Sequence, residues 1–330
     1  MLRLLSSIVA SSLVILAQTI NQQTIQTPAT EQSVRLRTDL VLVDVLPVQK
    51  KTGRVVADLK REDFSVYEDG VRQSISHFSR ETVPVSIILL VDRAGCVNPF
   101  SEQIRAATIK AIGHLKPEDE VAIITFSNKV NLVQGFTRDR QVISDKIIGV
   151  EKQHQSEQHY FNAGIYEAAE YMRKAARPGG RRAIIVLTSL EASIDFSKVS
   201  EEQALQSLLE SGAVVSGILV QTVGGRIEQG IRGKPTSVLR HLGLRSGSLK
   251  MFVAETGGEL VGAPPEKIDP TMNQLVDNIS QSYSLAYTPA KLERDGKRRR
   301  IRIELAPEVE QREGKVSLQA RHSYVIAKDH

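Results

Sequence analysis

The feature that most constrains the fold is an apolar segment, Val85 to Asp92, which reads VSIILLVD and ends in an acid. A continuous apolar run of this length is typical of a strand buried on both faces of a parallel sheet. Similar runs alternate with segments of helical periodicity, and because parallel neighbours need crossover helices, this alternation predicts a doubly wound, mostly parallel α/β sheet with helices on both faces. The other predicted strands are Val121–Phe126, Val130–Val133, Ala183–Ser189 and Ala213–Val220, and the predicted helices are Ser101–Leu115, Arg140–Ile148, Ala163–Ala176, Glu201–Ser211 and Met272–Gln281.

Both ends of the chain carry a different pattern, in which apolar and polar residues alternate as in antiparallel strands with one buried face. The Asp69-Gly70 pair predicts a tight turn and therefore a hairpin. Because a few short strands are marginal on their own in water, we expect the N-terminal and C-terminal strands to pack into one small antiparallel β-sandwich that the α/β domain interrupts. The predicted strands are Val34–Val48, Phe64–Tyr67, Val71–Phe78, Tyr283–Tyr287, Arg300–Leu305 and Lys315–Tyr324.

The first residues predict export. Residues 1–17 read MLRLLSSIVASSLVILA, with a positive charge at Arg3 before an apolar stretch, which is the layout of a secretory signal peptide. The apolar run is shorter than the ~20 residues of a membrane-spanning helix. We therefore expect cleavage, no stable membrane span and a periplasmic or extracellular location, with a retained anchor as the alternative. The predicted order is signal peptide (1–17), polar linker (18–32), N-terminal strands (33–82), α/β domain (83–282) and C-terminal strands (283–327).

Composition bears on two further questions. The single cysteine, Cys96, rules out an intrachain disulfide, so the core must stabilise the fold. The 43 basic and 38 acidic residues are interspersed, and the sharpest basic cluster, Lys297–Arg300, precedes an alternating apolar pattern. We interpret this cluster as the charged start of a half-buried strand, because a nucleic-acid surface would carry interleaved aromatic side chains. No nucleic-acid partner is predicted.

Motifs for catalysis are missing from the sequence. His154 and His159 are one residue too far apart for the HExxH and HxxEH zinc patterns, and we interpret them as part of a polar surface loop. The segment Gly243–Gly247 places its serine one position late for a GxSxG nucleophile elbow, and neither a Walker-type nor a strand-linked GxGxxG loop occurs. The sequence therefore predicts a protein that is not an enzyme.

A series of short motifs, in a fixed order along the chain, carries a resemblance to a known family. Val85–Asp92 resembles the first strand and crest loop of a von Willebrand factor type A (VWA) domain. The resemblance covers roughly residues 33–326, and its flanks are similar to a VWA-related family of exported bacterial proteins, notably of Acidobacteria. The other motifs are Leu115–Val121, Thr125–Ser127, Phe136–Asp139, Ile165–Ala168 and Ala254–Gly258 within the domain, and Asp63–Gly70 and Tyr283–Pro289 in the flanks.

The resemblance has a consequence for metal binding. VWA domains commonly hold Mg²⁺ in a metal-ion-dependent adhesion site, built from DxSxS on the first loop, a threonine on the second and an aspartate on the third. Mg²⁺ requires hard oxygen ligands, which methyl groups and sulfur atoms do not supply. The resemblance therefore implies a degenerate site without metal or other cofactor, where Asp92 accepts backbone N–H bonds or pairs with Arg93. The site positions correspond to Asp92, Ala94, Cys96, Ala163 and Ser189.

Open α/β sheets bind their ligands at the crest, the edge formed by the loops after the carboxyl ends of the parallel strands. We therefore predict metal-independent binding of a protein partner there, with a structural part in a cell-envelope assembly as the alternative. A third hypothesis is metal-dependent adhesion at a weak, rearranged site that recruits Asn98, Glu191 or Asp195. The residues predicted to face the partner are Asp92, Arg93, Asn98, Asn162, Ser189 and Glu191.

Overall fold

The computed structural model describes residues 40–80, 83–94, 101–150, 156–176, 180–220, 246–289 and 295–326. The predicted signal peptide and linker, Cys96, Asn98, His154 and Gly243 lie outside these ranges. In the described parts of the chain, no helix is both long and apolar enough to cross a membrane. The strands are β1 (Val41–Gln49), β2 (Phe64–Glu68), β3 (Val71–Gln73), β4 (Ile75–Ser79), β5 (Val85–Asp92), β6 (Glu120–Phe126), β7 (Val130–Thr137), β8 (Arg181–Thr188), β9 (Ala192–Ile194), β10 (Val214–Val220), β11 (Ser246–Ser248), β12 (Leu260–Ala263), β13 (Tyr283–Tyr287), β14 (Arg298–Leu305), β15 (Val316–Ala320) and β16 (Ser323–Val325). The helices are α1 (Ser101–Gly113), α2 (Arg140–Val150), α3 (Phe161–Met172), α4 (Glu201–Ser211), α5 (Leu249–Thr256), α6 (Ile268–Gln281) and α7 (Pro307–Glu313), with short 3-10 turns at Arg61–Asp63 and Pro265–Lys267.

A central six-stranded sheet forms the middle of the molecule, in the order β12-β10-β8-β5-β6-β7. All neighbours are parallel except β7, which is antiparallel to β6. Every residue of β5 is buried, as its apolar sequence requires for a strand covered on both faces. Helices α1, α2 and α6 pack on one face and α3, α4 and α5 on the other. The predicted doubly wound α/β architecture is confirmed.

Helix α4 shows how local sequence fixes an element of this sheet. The Ser200 hydroxyl accepts a hydrogen bond from the Gln203 backbone N–H, and the Ser200 backbone N–H donates one to Oε1 of Gln203. This capping box begins the helix at Glu201. Gly212, with a φ of 71°, ends it in the left-handed conformation that glycine adopts at low cost. The predicted helix has the same bounds because both signals are local.

The chain termini form two four-stranded antiparallel sheets, β15-β1-β13-β4 and β16-β14-β2-β3, and each sheet combines strands from both ends of the chain. Side chains from both sheets share one hydrophobic core, in which Phe64, Phe78 and Tyr283 form an aromatic cluster with centroids less than 6 Å apart, at 5.5 to 5.8 Å. The predicted antiparallel sandwich that the α/β domain interrupts is therefore present.

Two strands that the sequence predicts as continuous are each divided in the structure, so these two predictions are wrong. The segment Val71–Phe78 is divided after Gln73, because β3 pairs with β2 in one sheet and β4 pairs with β13 in the other. The segment Lys315–Tyr324 is likewise divided into β15 and β16, which belong to different sheets. A strand that changes sheets keeps its alternating pattern, so periodicity alone does not reveal the break. Helix α7, which begins at Pro307, was not predicted either.

Arg181, the first residue of β8, joins the central sheet to the sandwich. Its buried guanidinium donates to the carbonyl oxygens of Ile279 (3.2 Å), Ser280 (2.8 Å) and Ser282 at the end of α6. It also reaches the Asp44 carboxylate in β1, with 3.4 Å between Nε and Oδ1. The amino end of the parallel sheet is thus attached to the sandwich, while the crest lies at the opposite end.

Candidate functional site

The carboxylate of Asp92 is the centre of the crest, at the point where β5 ends. This residue is fully buried, with 0% exposure. Its Oδ2 accepts a hydrogen bond from the Thr188 hydroxyl (2.6 Å), and the backbone N–H of Ala94 donates to Oδ1 (3.0 Å). Nδ1 of His159 lies 2.6 Å from Oδ2, and because an ionised carboxylate only accepts hydrogen bonds, the imidazole is the donor. Asp92 is therefore enclosed by three donors from three crest segments.

The enclosed carboxylate is a poor match to a magnesium site. Mg²⁺ needs several hard oxygen ligands in octahedral geometry. Here the Oδ2 side is taken up by an imidazole and a hydroxyl, and the methyl side chains of Ala94 and Ala163 offer no oxygen. Among the described residues, no group of three or more His, Cys, Asp or Glu side chains is arranged to hold an ion. Within the described part of the crest, the donor set does not fit the ion that VWA domains commonly bind.

His159 overturns one interpretation of the sequence. The sequence predicts a polar surface loop here, but His159 is buried with 4% exposure. Its ring stacks 6.2 Å from that of Phe161, and its carbonyl accepts a hydrogen bond from Ser193 Oγ (2.7 Å). The segment before His159 follows the end of β5, where Ser156 forms an isolated parallel bridge with Ala94. The partner carboxylate lies 67 residues away in sequence, so no local pattern indicates the contact.

The residues predicted to face a partner divide into two groups. Arg93 and Asn162 are buried with Asp92, and their backbone N–H groups are bonded to Phe126 O (2.7 Å) and Asp195 Oδ2 (2.7 Å). Buried side chains position the loops and do not form the outer surface. Ser189 and Glu191 are half-buried, and Glu191 pairs with Lys250 at 3.4 Å. Asn98 lies outside the described residues.

An exposed apolar pair, Ile194 and Phe196, stands on the crest segment that follows β8. The two side chains are 37% and 61% exposed, whereas Asp195 between them is 1% exposed. The Asp195 carboxylate accepts bonds from the backbone N–H groups of Asn162 (2.7 Å) and Ser197 (2.8 Å). The Asp195 carboxylate thus holds two loop backbones in place and is not arranged as a ligand of a rearranged metal site.

The segment that carries the pair is fixed by its neighbours. Strand β9 pairs with β11, and a Cβ added at Gly247 in β11 would lie 2.8 Å from Cβ of Phe161. Only glycine at position 247 allows β11 to lie this close to the start of α3. The sequence signal for the pair is weak: an acid between two apolar residues has the alternation of a strand but lacks a long run. We define the crest patch as Ile194 and Phe196.

Residues 87–191 match the family model of the von Willebrand factor type A domain. The match begins within β5, extends through β8 and ends at Glu191 in the crest segment after β8. It therefore includes Asp92, His159 and Thr188, while the crest patch begins just beyond it. No curated protein sequence matches the chain.

Solved structures with similarity to the chain include VWA-type proteins. An aerotolerance-related membrane protein from Bacteroides fragilis is 15% identical over 59% of this chain and 98% of its own length, with a TM-score of 0.42. BatB from Bacteroides thetaiotaomicron is 16% identical over 59% and 97%, with a TM-score of 0.44. Proximal thread matrix protein 1 from the mussel byssus is 14% identical over 64% and 51%, with a TM-score of 0.47. These TM-scores are below 0.5, so the fold is assigned from the order and direction of the chain's own strands.

Proposed function

We propose that this protein is an exported, non-enzymatic binding module whose VWA crest holds a protein partner without a metal ion. The observation that carries the proposal is the pairing of a sealed carboxylate with an exposed aromatic side chain on one edge of the sheet. The carboxylate of Asp92 is engaged by three protein donors, whereas Phe196 presents most of its ring to solvent. Recognition at this crest therefore relies on apolar contact.

The crest patch has the properties of an interface anchor. Aromatic side chains dominate the energy of protein interfaces when they enter a pocket on the partner. Phe196 costs little to order on binding, because Asp195 and Ser197 already hold the backbone on either side of it. Glu191 and Lys250 lie on the same crest and supply the polar surroundings that interfaces commonly have.

The sequence of residues 1–17 supports export. The missing phosphate-binding and zinc motifs support a function without a cofactor. The competing role is a structural part of a cell-envelope assembly, in which the crest would be unimportant. Metal-dependent adhesion through a rearranged site would instead require ions for binding. One capture experiment separates these roles.

Affinity capture from envelope extracts should use the wild-type chain, Phe196→Ser and Val71→Ser, with and without EDTA. Val71 is the matched control because it is also 61% exposed but lies on the sandwich. We expect one protein to be enriched by the wild type and by Val71→Ser, lost with Phe196→Ser and unaffected by EDTA. Equal capture by all three chains favours the scaffold role, and loss of capture in EDTA favours metal-dependent adhesion.

Calorimetric titration with Mg²⁺ and Mn²⁺ tests the metal-free crest directly. We expect no binding heat from the wild-type chain, because His159 and Thr188 already engage Oδ2 of Asp92. A clear binding isotherm that Asp92→Ala abolishes would refute metal independence, even if the crest patch captured a partner.

A further inference from the structure

A cavity of about 300 Å³ lies on the side of the molecule where the sandwich meets the end of α4. This volume is at the lower limit of pockets that take small organic ligands. Two arginines, Arg182 from β8 and Arg321 from the segment between β15 and β16, contribute to its wall. Aliphatic side chains form much of the rest, namely those of Leu40, Leu42, Leu209, Val325 and Ile326.

The hydrogen bonds of both guanidinium groups go to carbonyl oxygens. Arg182 Nη1 donates to the Ser211 carbonyl (2.7 Å), and Arg321 Nη2 donates to the Gly212 carbonyl (3.1 Å). These are the last carbonyls of α4, whose partial negative charge is about half an elementary charge. Within the described parts of the chain, no ion pair involves either arginine, and the buried Nε of Arg182 has no hydrogen-bond partner.

The nearby carboxylates are already engaged. Asp44 accepts bonds from Arg181 and from the Ser284 hydroxyl (2.7 Å), and Glu210, which borders the cavity, pairs with Arg173 at 3.0 Å. Burial is the main cause that lowers the pKa of the Arg182 and Arg321 guanidinium groups. The negative charge of Asp44 opposes this effect at Arg321, and the positive charge of Arg182 adds to it. Arginine nonetheless stays protonated in proteins, so the cavity keeps two positive charges.

We propose that this cavity binds a small organic anion, a carboxylate carried on a short aliphatic group. The carboxylate accepts hydrogen bonds from Arg182 and Arg321, for which guanidinium groups offer a matching planar geometry. The aliphatic group packs against Leu42, Leu209 and Ile326. This combination of charge and apolar wall distinguishes the ligand from an inorganic anion. The site is separate from the crest and does not depend on the proposed crest function.

Three probes test the site by calorimetry and thermal unfolding of the full chain: hexanoate, its neutral counterpart hexanamide, and sulfate. We expect hexanoate to bind and to raise the unfolding temperature, because a ligand of the folded state stabilises it. Hexanamide should bind at least about tenfold more weakly, as the loss of a charge-assisted hydrogen bond predicts. Equal binding of hexanoate and hexanamide, or no binding of hexanoate, overturns the proposal. If sulfate binds as tightly as hexanoate, the proposed recognition of an aliphatic group by the cavity is overturned.

Variants assign the ligand to these residues. Arg321→Gln and Arg182→Gln should each weaken hexanoate about tenfold, whereas Arg54→Gln, an exposed arginine of the sandwich, should leave it unchanged. Leu42→Trp narrows the cavity while it keeps both guanidinium groups, and should abolish binding. Because the wild-type comparison of hexanoate with hexanamide needs no variant, a variant that fails to fold does not remove the test. Unchanged hexanoate affinity in folded Arg182→Gln and Arg321→Gln would place the anion elsewhere.

Discussion

The polar side chains at the two ends of strand β8 differ in how fully they are hydrogen-bonded. At the carboxyl end, Thr188 donates to Asp92, which is also held by His159, so this buried carboxylate is enclosed by donors. At the amino end, two consecutive arginines differ. Arg181 is bonded to three carbonyls and to a carboxylate, whereas Arg182, on the other face, makes one hydrogen bond among the described residues.

This difference separates architecture from binding. Buried polar groups in native proteins are nearly always hydrogen-bonded, so a satisfied cluster is expected wherever segments must be held together. Arg182 is only half-buried, and the donors that it leaves unused are the ones that the proposed ligand would engage. The crest thus uses the carboxylate of Asp92 to hold loops together, and in the proposed function apolar side chains make the contact with a partner. The amino end fixes the sandwich with Arg181 and leaves Arg182 available.

The largest expected effect tests this distinction within one strand. Arg181→Met removes the donor for three carbonyls and leaves the Asp44 carboxylate without its buried partner, which should lower the free energy of unfolding by about 3–5 kcal/mol. Arg182→Met, its matched neighbour, removes one hydrogen bond and should cost about 1 kcal/mol. Urea unfolding measures both. Equal losses from the two variants would contradict the contrast between the adjacent arginines.

A second contact between the sandwich and the α/β domain, at the end of α5, can also be disrupted. A Cβ at Gly257, where α5 ends with a φ of 75°, would overlap the backbone of Ala320 in β15. Gly53 has a φ of 72° but no atom within 4 Å of such a Cβ. Gly53→Ala therefore carries only the backbone penalty, about 1 kcal/mol, and Gly257→Ala adds overpacking for a total of about 3 kcal/mol. If thermal unfolding gave the two variants the same stability, close packing at this joint would be refuted.

The sequence predicts most of the fold and less of the site, for physical reasons. The burial of β5 and the bounds of α4 follow from local signals, an apolar run and a pair of caps. The division between β3 and β4 does not, because it depends on which sheet each half joins. A change of sheet leaves the side-chain alternation intact, so the sequence pattern is the same before and after the break.

At the crest, the position of Asp92 follows from its place at the end of a buried strand. Its hydrogen bond to His159 does not, since contacts between distant segments depend on how the loops are folded together. The exposure of Phe196 was missed for a related reason: a single aromatic residue in a polar segment is more often buried than exposed. The different environments of the two arginines at the amino end are not evident from the sequence either, because Arg181 and Arg182 form an ordinary basic pair.

A smaller effect is expected at the crest than at the amino end. Thr188→Val keeps the shape of the side chain but leaves Oδ2 of Asp92 without one of its donors, which should cost about 2 kcal/mol of unfolding free energy. Thr188→Ser keeps the hydroxyl and should retain most of that stability. A loss from Thr188→Ser as large as that from Thr188→Val would show that the methyl group, not the hydrogen bond to Asp92, is what matters.

The smallest effect on stability is expected at the crest patch. Phe196→Ser removes a ring that is 61% exposed, so little packing is lost and the free energy of unfolding should change by less than about 0.5 kcal/mol. Urea unfolding of this variant beside Val71→Ser, of equal exposure, gives the measurement. A loss above about 1 kcal/mol would mean that the ring packs on its own domain. In that case any defect in partner capture would follow from misfolding, and Phe196 would no longer support a binding role for the crest.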